Sequence, residues 1–263
     1  MSEIKQTFDF YDQTYIKSYN LDRRIQFELS MLDSLDVFTK AHSENVAIIT
    51  SNLCKKLHCS KGFTEYCIIC AFLHDVGKQF IPPEILQKPA KLTPEEYEIM
   101  KTHTSLGYKL CSETEGLRPY AAGAYYHHEA LNGTGYPQGL LKKDIPYEAQ
   151  IIRVADEYDA LVHKRQYKTH IGISDSLKII IDNTKSGKTN KLIVKKLLKV
   201  VIDDIEYEIS LAMNYINSLK KDINRLKKAF KYIDKKFSAK KQADADYYNE
   251  YIKLILRPDE SED

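Results

Sequence analysis

The chain has 263 residues, 43% hydrophobic and 29% charged, the balance of an ordinary folded protein long enough for one large domain or a domain with an appendage. No apolar run nears the roughly 18 residues of a membrane span, and the opening MSEIKQTFDFYDQ lacks the basic and apolar regions of a secretory signal. Five cysteines, an odd number, point to free thiols in a reducing cytosol, and ten glycines and eight prolines disfavour an all-β chain.

In chain order, residues 1–35, rich in Tyr and Asp, are expected to form an N-terminal helical segment. Val46, Ile49, Leu53 and Leu57 recur at helical spacing after Ser43, a candidate cap. The apolar stretch Tyr66 to Leu73 predicts a buried helix that ends in His74-Asp75, with Gly77 as its stop. TPEE at 93–96 reads as a capping box with Pro94 at the first helical position, opening a helix that runs past His103. NGTGYP at 132–137 is a loop, and Pro146 opens a further helix through Asp156. Nothing alternates over a useful length, so the predicted fold class is all-α. From Ile202 to Phe237 apolar residues recur in strict steps of three and four, a seam of five heptads. Two readings stay open: a coiled coil that makes a homodimer through 202–237, or a long helix packed antiparallel on its own chain near Tyr247 to Leu256.

The net charge of +2 is unevenly spread: residues 185–241 hold 16 Lys/Arg against 6 Asp/Glu. A basic tail can meet nucleic acid or a membrane surface. Here the lysines fall between apolar positions, which favours a solvated helix face; no DNA or RNA polymer is expected as partner.

Six of the eight histidines carry weight: His42, His74, His103, His127, His128 and His163. A carboxylate at the end of an apolar run, as Asp75 is, is costly to bury without a positive partner, either a metal or a lysine. His74-Asp75, His127-His128-Glu129 and Asp156 are donors that a divalent transition metal with open positions selects. Cys54, Cys59, Cys67 and Cys70, with CIIC as a CxxC, raise zinc as an alternative, but thiols one turn apart on a buried helix read as apolar packing. His58 and His170 read as surface residues and His163 as structural.

The blocks DVFTKAHSENVA (36–47), LHDVGK (73–78), IPPEILQKPAKLTPEEYEIMKTH (81–103), YYHHEALNGTGYPQGL (125–140), IPYEAQIIRVADEYDAL (145–161) and KRQYK (164–168) stand in a fixed order. In that order and spacing the sequence resembles the HD-GYP domain, a subfamily of HD phosphohydrolases associated with cyclic di-GMP breakdown, over roughly residues 36–200. The resemblance implies an HD-domain helical bundle over 36–200 with a bimetal centre, and leaves 201–263 as a C-terminal helical extension. His42, His74, Asp75 and Asp156 would hold one metal; His103, His127 and His128 would hold the second, with Asp75 bridging. Two divalent ions, iron or manganese, are implied, and with them a cytoplasmic phosphodiesterase that cuts cyclic di-GMP to linear pGpG or GMP with metal-activated water. Lys78 would neutralise phosphate or assist the departing oxygen, Arg165 and Lys168 would meet phosphates, and Tyr136 would stack on or hydrogen-bond a guanine. Phe38 replaces a glutamate that holds a third metal in some members, which implies two metals here. Asn45, Asn132 and Gln166 are further departures, and they bear on substrate recognition. A non-catalytic cyclic di-GMP receptor and a phosphohydrolase for another cyclic dinucleotide are the alternatives.

Overall fold

The computed structural model describes residues 37–162, 172–238 and 245–256. The expected N-terminal segment, 1–35, lies outside the described residues, as do His163, Arg165, Gln166, Lys168 and His170. Among the described residues all regular structure is helical, apart from one isolated antiparallel bridge between Asn132 and Leu141. The predicted all-α class holds.

The first unit, up to Val201, is organised around one helix. α1 (Val37–Lys56) lies against α2 (Lys61–Leu73). Ser60 caps α2, its Oγ accepting from the Phe63 amide at 3.2 Å. Every side chain of α2 from Cys67 to Leu73 is buried, so this helix is covered on all sides rather than along one stripe. Val46 and Leu53 of α1, Ile151 and Ile152 of the helix Tyr147–Val162, and Ile180, Ile193 and Leu197 further along complete one contiguous core. Ser43 does not cap α1: the helix runs through it and buries it completely, because tertiary contact outweighs the local preference of serine for a helix end.

Beyond α2 the chain makes a 3₁₀ turn, Val76–Phe80, and α2 itself ends at Leu73 before Gly77 is reached. Gly77 is needed for a different reason. A Cβ there would sit 2.0 Å from the His103 carbonyl oxygen, so only glycine lets this turn press against the helix that starts at His103.

α3 (Pro83–Leu86) is a single turn. The capping box of α4 (Pro94–Lys101) forms as predicted, with Glu96 N–H donating to Thr93 Oγ1 at 3.3 Å and Thr93 N–H to Glu96 Oε2 at 2.7 Å. The helix does not run past His103, however. It breaks at Thr102, whose amide and hydroxyl both donate to Ile99 O, at 3.0 and 2.6 Å; a hydroxyl competing for the helical carbonyl bends the chain there. α5 (His103–Glu113) then starts at the histidine itself. α6 (Ala121–Tyr126), α7 (Tyr147–Val162), α8 (Ile173–Lys185) and the start of α9 (Lys191–Ser238) follow.

The second unit, from Ile202, holds the rest of α9 and α10 (Ala245–Leu256). Tyr232 donates its hydroxyl to Glu250 at 2.7 Å and Ala229 is buried. Within the chain the tail helix therefore packs on α9 at the Ala229–Tyr232 face, while the seam residues up to Phe230 stay exposed. Ile209 remains 57% exposed and Phe230 70%.

Candidate metal centre

Three helices, and the turns that follow two others, deliver the predicted donors to one place. The end of α2 gives His74 and, one residue on, Asp75; α1 gives His42, α5 its first residue His103, the end of α6 His127 and His128, and α7 Asp156. The site lies at the C-terminal end of α2, and the negative end of a helix favours cations.

The donors fall into two clusters, Asp75 with His103, His127 and His128, and His42 with His74 and Asp156. Within each cluster the ligand atoms all lie within 4.8 Å of one another. Asp75, 2% exposed, faces both. Its Oδ2 is 3.3 Å from His74 Nε2 and 3.6 Å from His42 Nε2, and its Oδ1 is 3.4 Å from His103 Nε2 and 3.9 Å from His127 Nε2.

The histidine tautomers follow from the partners of Nδ1. In His74 that atom lies 2.6 Å from Ala71 O, in His103 2.7 Å from Met100 O, and in His127 3.0 Å from Ala124 O. A carbonyl oxygen only accepts, so each Nδ1 carries the proton and each Nε2 is left as a lone pair. These lone pairs converge. His103 Nε2 and His127 Nε2 are 3.3 Å apart, and the buried His74 Nε2 has no hydrogen-bond partner although a carboxylate oxygen, itself an acceptor, sits beside it. Acceptors turned on one another in a dry interior are costly unless a cation lies among them. Imidazoles whose other nitrogen is pinned by a backbone carbonyl are the usual form of metal-ligating histidine. The donor set fits divalent metal ions, and it contains no cysteine among the described residues; Cys54, Cys67 and Cys70 are buried free thiols in the core.

The ionisation of the site agrees with this. Burial pushes Asp75 and Asp156 up, but neighbouring groups outweigh it: Lys78 and then His74 for Asp75, and His42 and then His128 for Asp156. Both carboxyls are held well below the usual carboxylate range. Burial lowers His103, drives His127 well down, and takes His128 to about 3 against the opposing charge of Asp156. His42 behaves oppositely, because hydrogen bonds to Asp156 and Asp159 outweigh its burial and raise it.

Lys78 donates to Asp75 Oδ2 at 2.5 Å, three residues along the 3₁₀ turn. Tyr136 stacks on His128, centroids 4.7 Å apart at 29°, and Lys101 Nζ lies 5.8 Å from its ring centre. Its loop position therefore includes direct support of a candidate ligand. Phe38 is exposed.

The motifs gave Asp159 and Arg153 no role, and Glu129, read from the sequence among the metal donors, belongs to neither cluster. Asp159 Oδ2 accepts from His42 Nδ1 at 2.6 Å; its place three residues after Asp156, on the same face of α7, is the signal that marks it. Buried Glu129 accepts from the Gln138 and Leu140 amides at 2.6 and 2.8 Å and so closes the loop that carries Tyr136. Arg153 donates to His128 O at 2.9 Å. Asn132 accepts from the Thr134 amide and hydroxyl and donates to Ser186 O, which folds the loop back on the chain.

Comparison with known proteins places this site in a family. A family model described as the HD domain matches residues 27–190. The chain is 39% identical over 163 residues to a "Cyclic di-GMP phosphodiesterase" of Thermotoga maritima, covering 61% of this chain and 44% of that protein. It is 31% identical over 176 residues to a "3'3'-cGAMP-specific phosphodiesterase 3" of Vibrio cholerae, covering 66% and 38%. The chain thus spans less than half the length of either relative. Among solved structures, a HDG"Y"P protein from Bdellovibrio bacteriovorus superposes with a TM-score of 0.55 at 22% identity, over 73% of this chain and 66% of that one, and so shares the fold. The chain belongs to the HD domain family, and its ordered motifs place it in the HD-GYP branch.

Proposed function

We propose that the chain is a metal-dependent phosphodiesterase that hydrolyses cyclic di-GMP to linear pGpG or on to GMP. The observation that carries this reading is Asp75, with one carboxylate oxygen turned to each of two clusters of inward-facing imidazole lone pairs. His42, His74, Asp75 and Asp156 hold one divalent cation, and Asp75, His103, His127 and His128 hold the other. Bound there, two cations, iron or manganese, supply Lewis acidity that activates water and offsets charge on a phosphodiester.

The chain's own groups do the rest. Lys78 fixes Asp75 Oδ2 and brings positive charge to the side on which the phosphate's leaving oxygen develops charge. Asp159 keeps the His42 proton on Nδ1 and so keeps Nε2 free to ligate. Glu129 sets the loop from which Tyr136 braces His128 and reaches toward a base. Arg165 and Lys168, outside the described residues, are assigned to the phosphates. The protein acts in the cytoplasm, in keeping with five free cysteines and with no described helix long and apolar enough to cross a membrane. It associates as a homodimer through the 202–237 seam.

The test is to incubate anaerobically purified, iron- or manganese-loaded protein with cyclic di-GMP and resolve products by chromatography with mass detection. Linear pGpG or GMP, absent with Asp75→Ala, is expected. No turnover by protein carrying both metals would overturn the reading. A second substrate, 3'3'-cGAMP, belongs in the same assay because one relative is named for it.

A further inference from the structure

We infer that the α9 seam pairs with the same seam of a second copy running antiparallel. The inference rests on the homodimer reading above and adds its orientation. Three observations lead to it.

Among the described residues the seam is apolar and uncovered. Ile202, Ile205, Ile209, Ile216, Leu219 and Ile223 are all exposed, and α10 sits on the Ala229–Tyr232 face, leaving Leu226 and Phe230 open as well. From Ile202 to Phe230 this stripe runs roughly 42 Å at about 1.5 Å per residue. A stripe that long on a helix facing water marks an interaction surface, and strict three-four spacing fits a partner helix of the same spacing.

Charge then selects the direction. Residues 203–208 carry four carboxylates and no base; 209–219 carry no charge at all; 220–236 carry eight Lys/Arg against two Asp. Paired helices lie about 8–10 Å apart, comparable to the screening length of about 8 Å at physiological salt, so facing blocks act on each other. A parallel pair in register sets acid against acid and base against base. An antiparallel pair crosses at the uncharged middle, lays the acidic block of one copy beside the basic block of the other, and sets Glu206 across from Lys227 of the second copy.

Side-chain size agrees. Antiparallel seams match the first seam position of one helix with the second of its partner. Crossing between Ile216 and Leu219 brings Ala212 opposite Ile223 and Ile209 opposite Leu226. A parallel pair instead sets Ala212 on Ala212 and leaves a gap in the middle of the stripe. The isoleucines at one seam position with leucines at the other are the pattern of a parallel dimer; the segregated charges and the Ala212 layer decide against it.

Sedimentation equilibrium of the full chain at low ionic strength tests this. The wild type is expected to dimerise, and E206K/E208K to weaken the dimer roughly tenfold, since the two Glu206–Lys227 pairs reverse sign and each acidic block loses its opposition to the partner's basic block. Adding K227E/K228E to that variant restores wild-type affinity, and raising salt weakens the wild-type dimer. A dimer that E206K/E208K leaves unchanged or tightens would overturn the antiparallel orientation while the homodimer stands. A chain that stays monomeric at every concentration would overturn the homodimer itself.

Discussion

The centre around Asp75 and the outer stretch of α9 break the ordinary inside-outside rule in opposite directions. At the first, imidazoles and carboxylates that water would solvate are buried with their acceptor atoms turned on one another. At the second, isoleucines and leucines that would normally be buried stand in water. An uncompensated buried polar group and a long exposed apolar stripe are each unfavourable alone, and each describes the partner that relieves it: for lone pairs a cation, for a heptad stripe another helix.

The largest effect is expected from Asp75→Ala. Removing the one group that faces both clusters should take the metal content, measured by elemental mass spectrometry, from about two ions per chain to below one, and hydrolysis with it. Wild-type metal content and turnover in that variant would break the centre as described. Gly77→Ala pushes a methyl group into the His103 carbonyl and should cost about 3 kcal/mol or more, the upper end of overpacking. A melting curve within a degree of wild type would show that the turn has room to move.

Asp159→Asn keeps the size of a side chain that ligates nothing. It should leave the fold intact and weaken metal retention about 10- to 100-fold, the usual cost of losing the partner that orients a ligating histidine. Competition with a chelator measures this, and unchanged retention would remove Asp159 from the site.

The metal-free protein should show the site in its acid response. Burial holds His103, His127 and His128 below the 6.5 of a free imidazole, His128 to about 3. Below pH 6.5 the unfolded chain gains protons that the folded chain refuses, so stability falls as the pH drops from about 6.5 toward 3. His42, raised, opposes part of that loss. Denaturant midpoints of chelator-treated protein that rise or stay level from pH 7 to pH 5 would contradict this. The smallest effect separates the two regions most directly. Ile151→Ala in the core should cost about 2–5 kcal/mol, and Ile209→Ala on the seam under about 0.5 kcal/mol in dilute monomeric protein. Equal losses would mean that the seam is packed within the chain.

What could be read without the structure was what local physics governs. Helical periodicity, the Thr93–Glu96 capping box and the absence of alternation depend on neighbours within a turn or two, and the all-α class follows from them. The residues that meet around Asp75 were legible through motif order, because His and Asp side chains are scarce and their chemistry is specific. The interruptions were decided by tertiary structure. Ser43 lies inside its helix because long-range burial outweighs a capping preference. Gly77 serves a close approach to His103, a residue far along the chain, and Thr102 breaks a helix whose pattern runs on. Asp159 and Glu129 acquire their roles only when α7 meets α1 and the loop folds over the site. That α10 sits on the Ala229–Tyr232 face, with the seam from Ile202 to Phe230 exposed among the described residues, was likewise invisible in one dimension, since periodicity tells which residues share a face and is silent on what meets it.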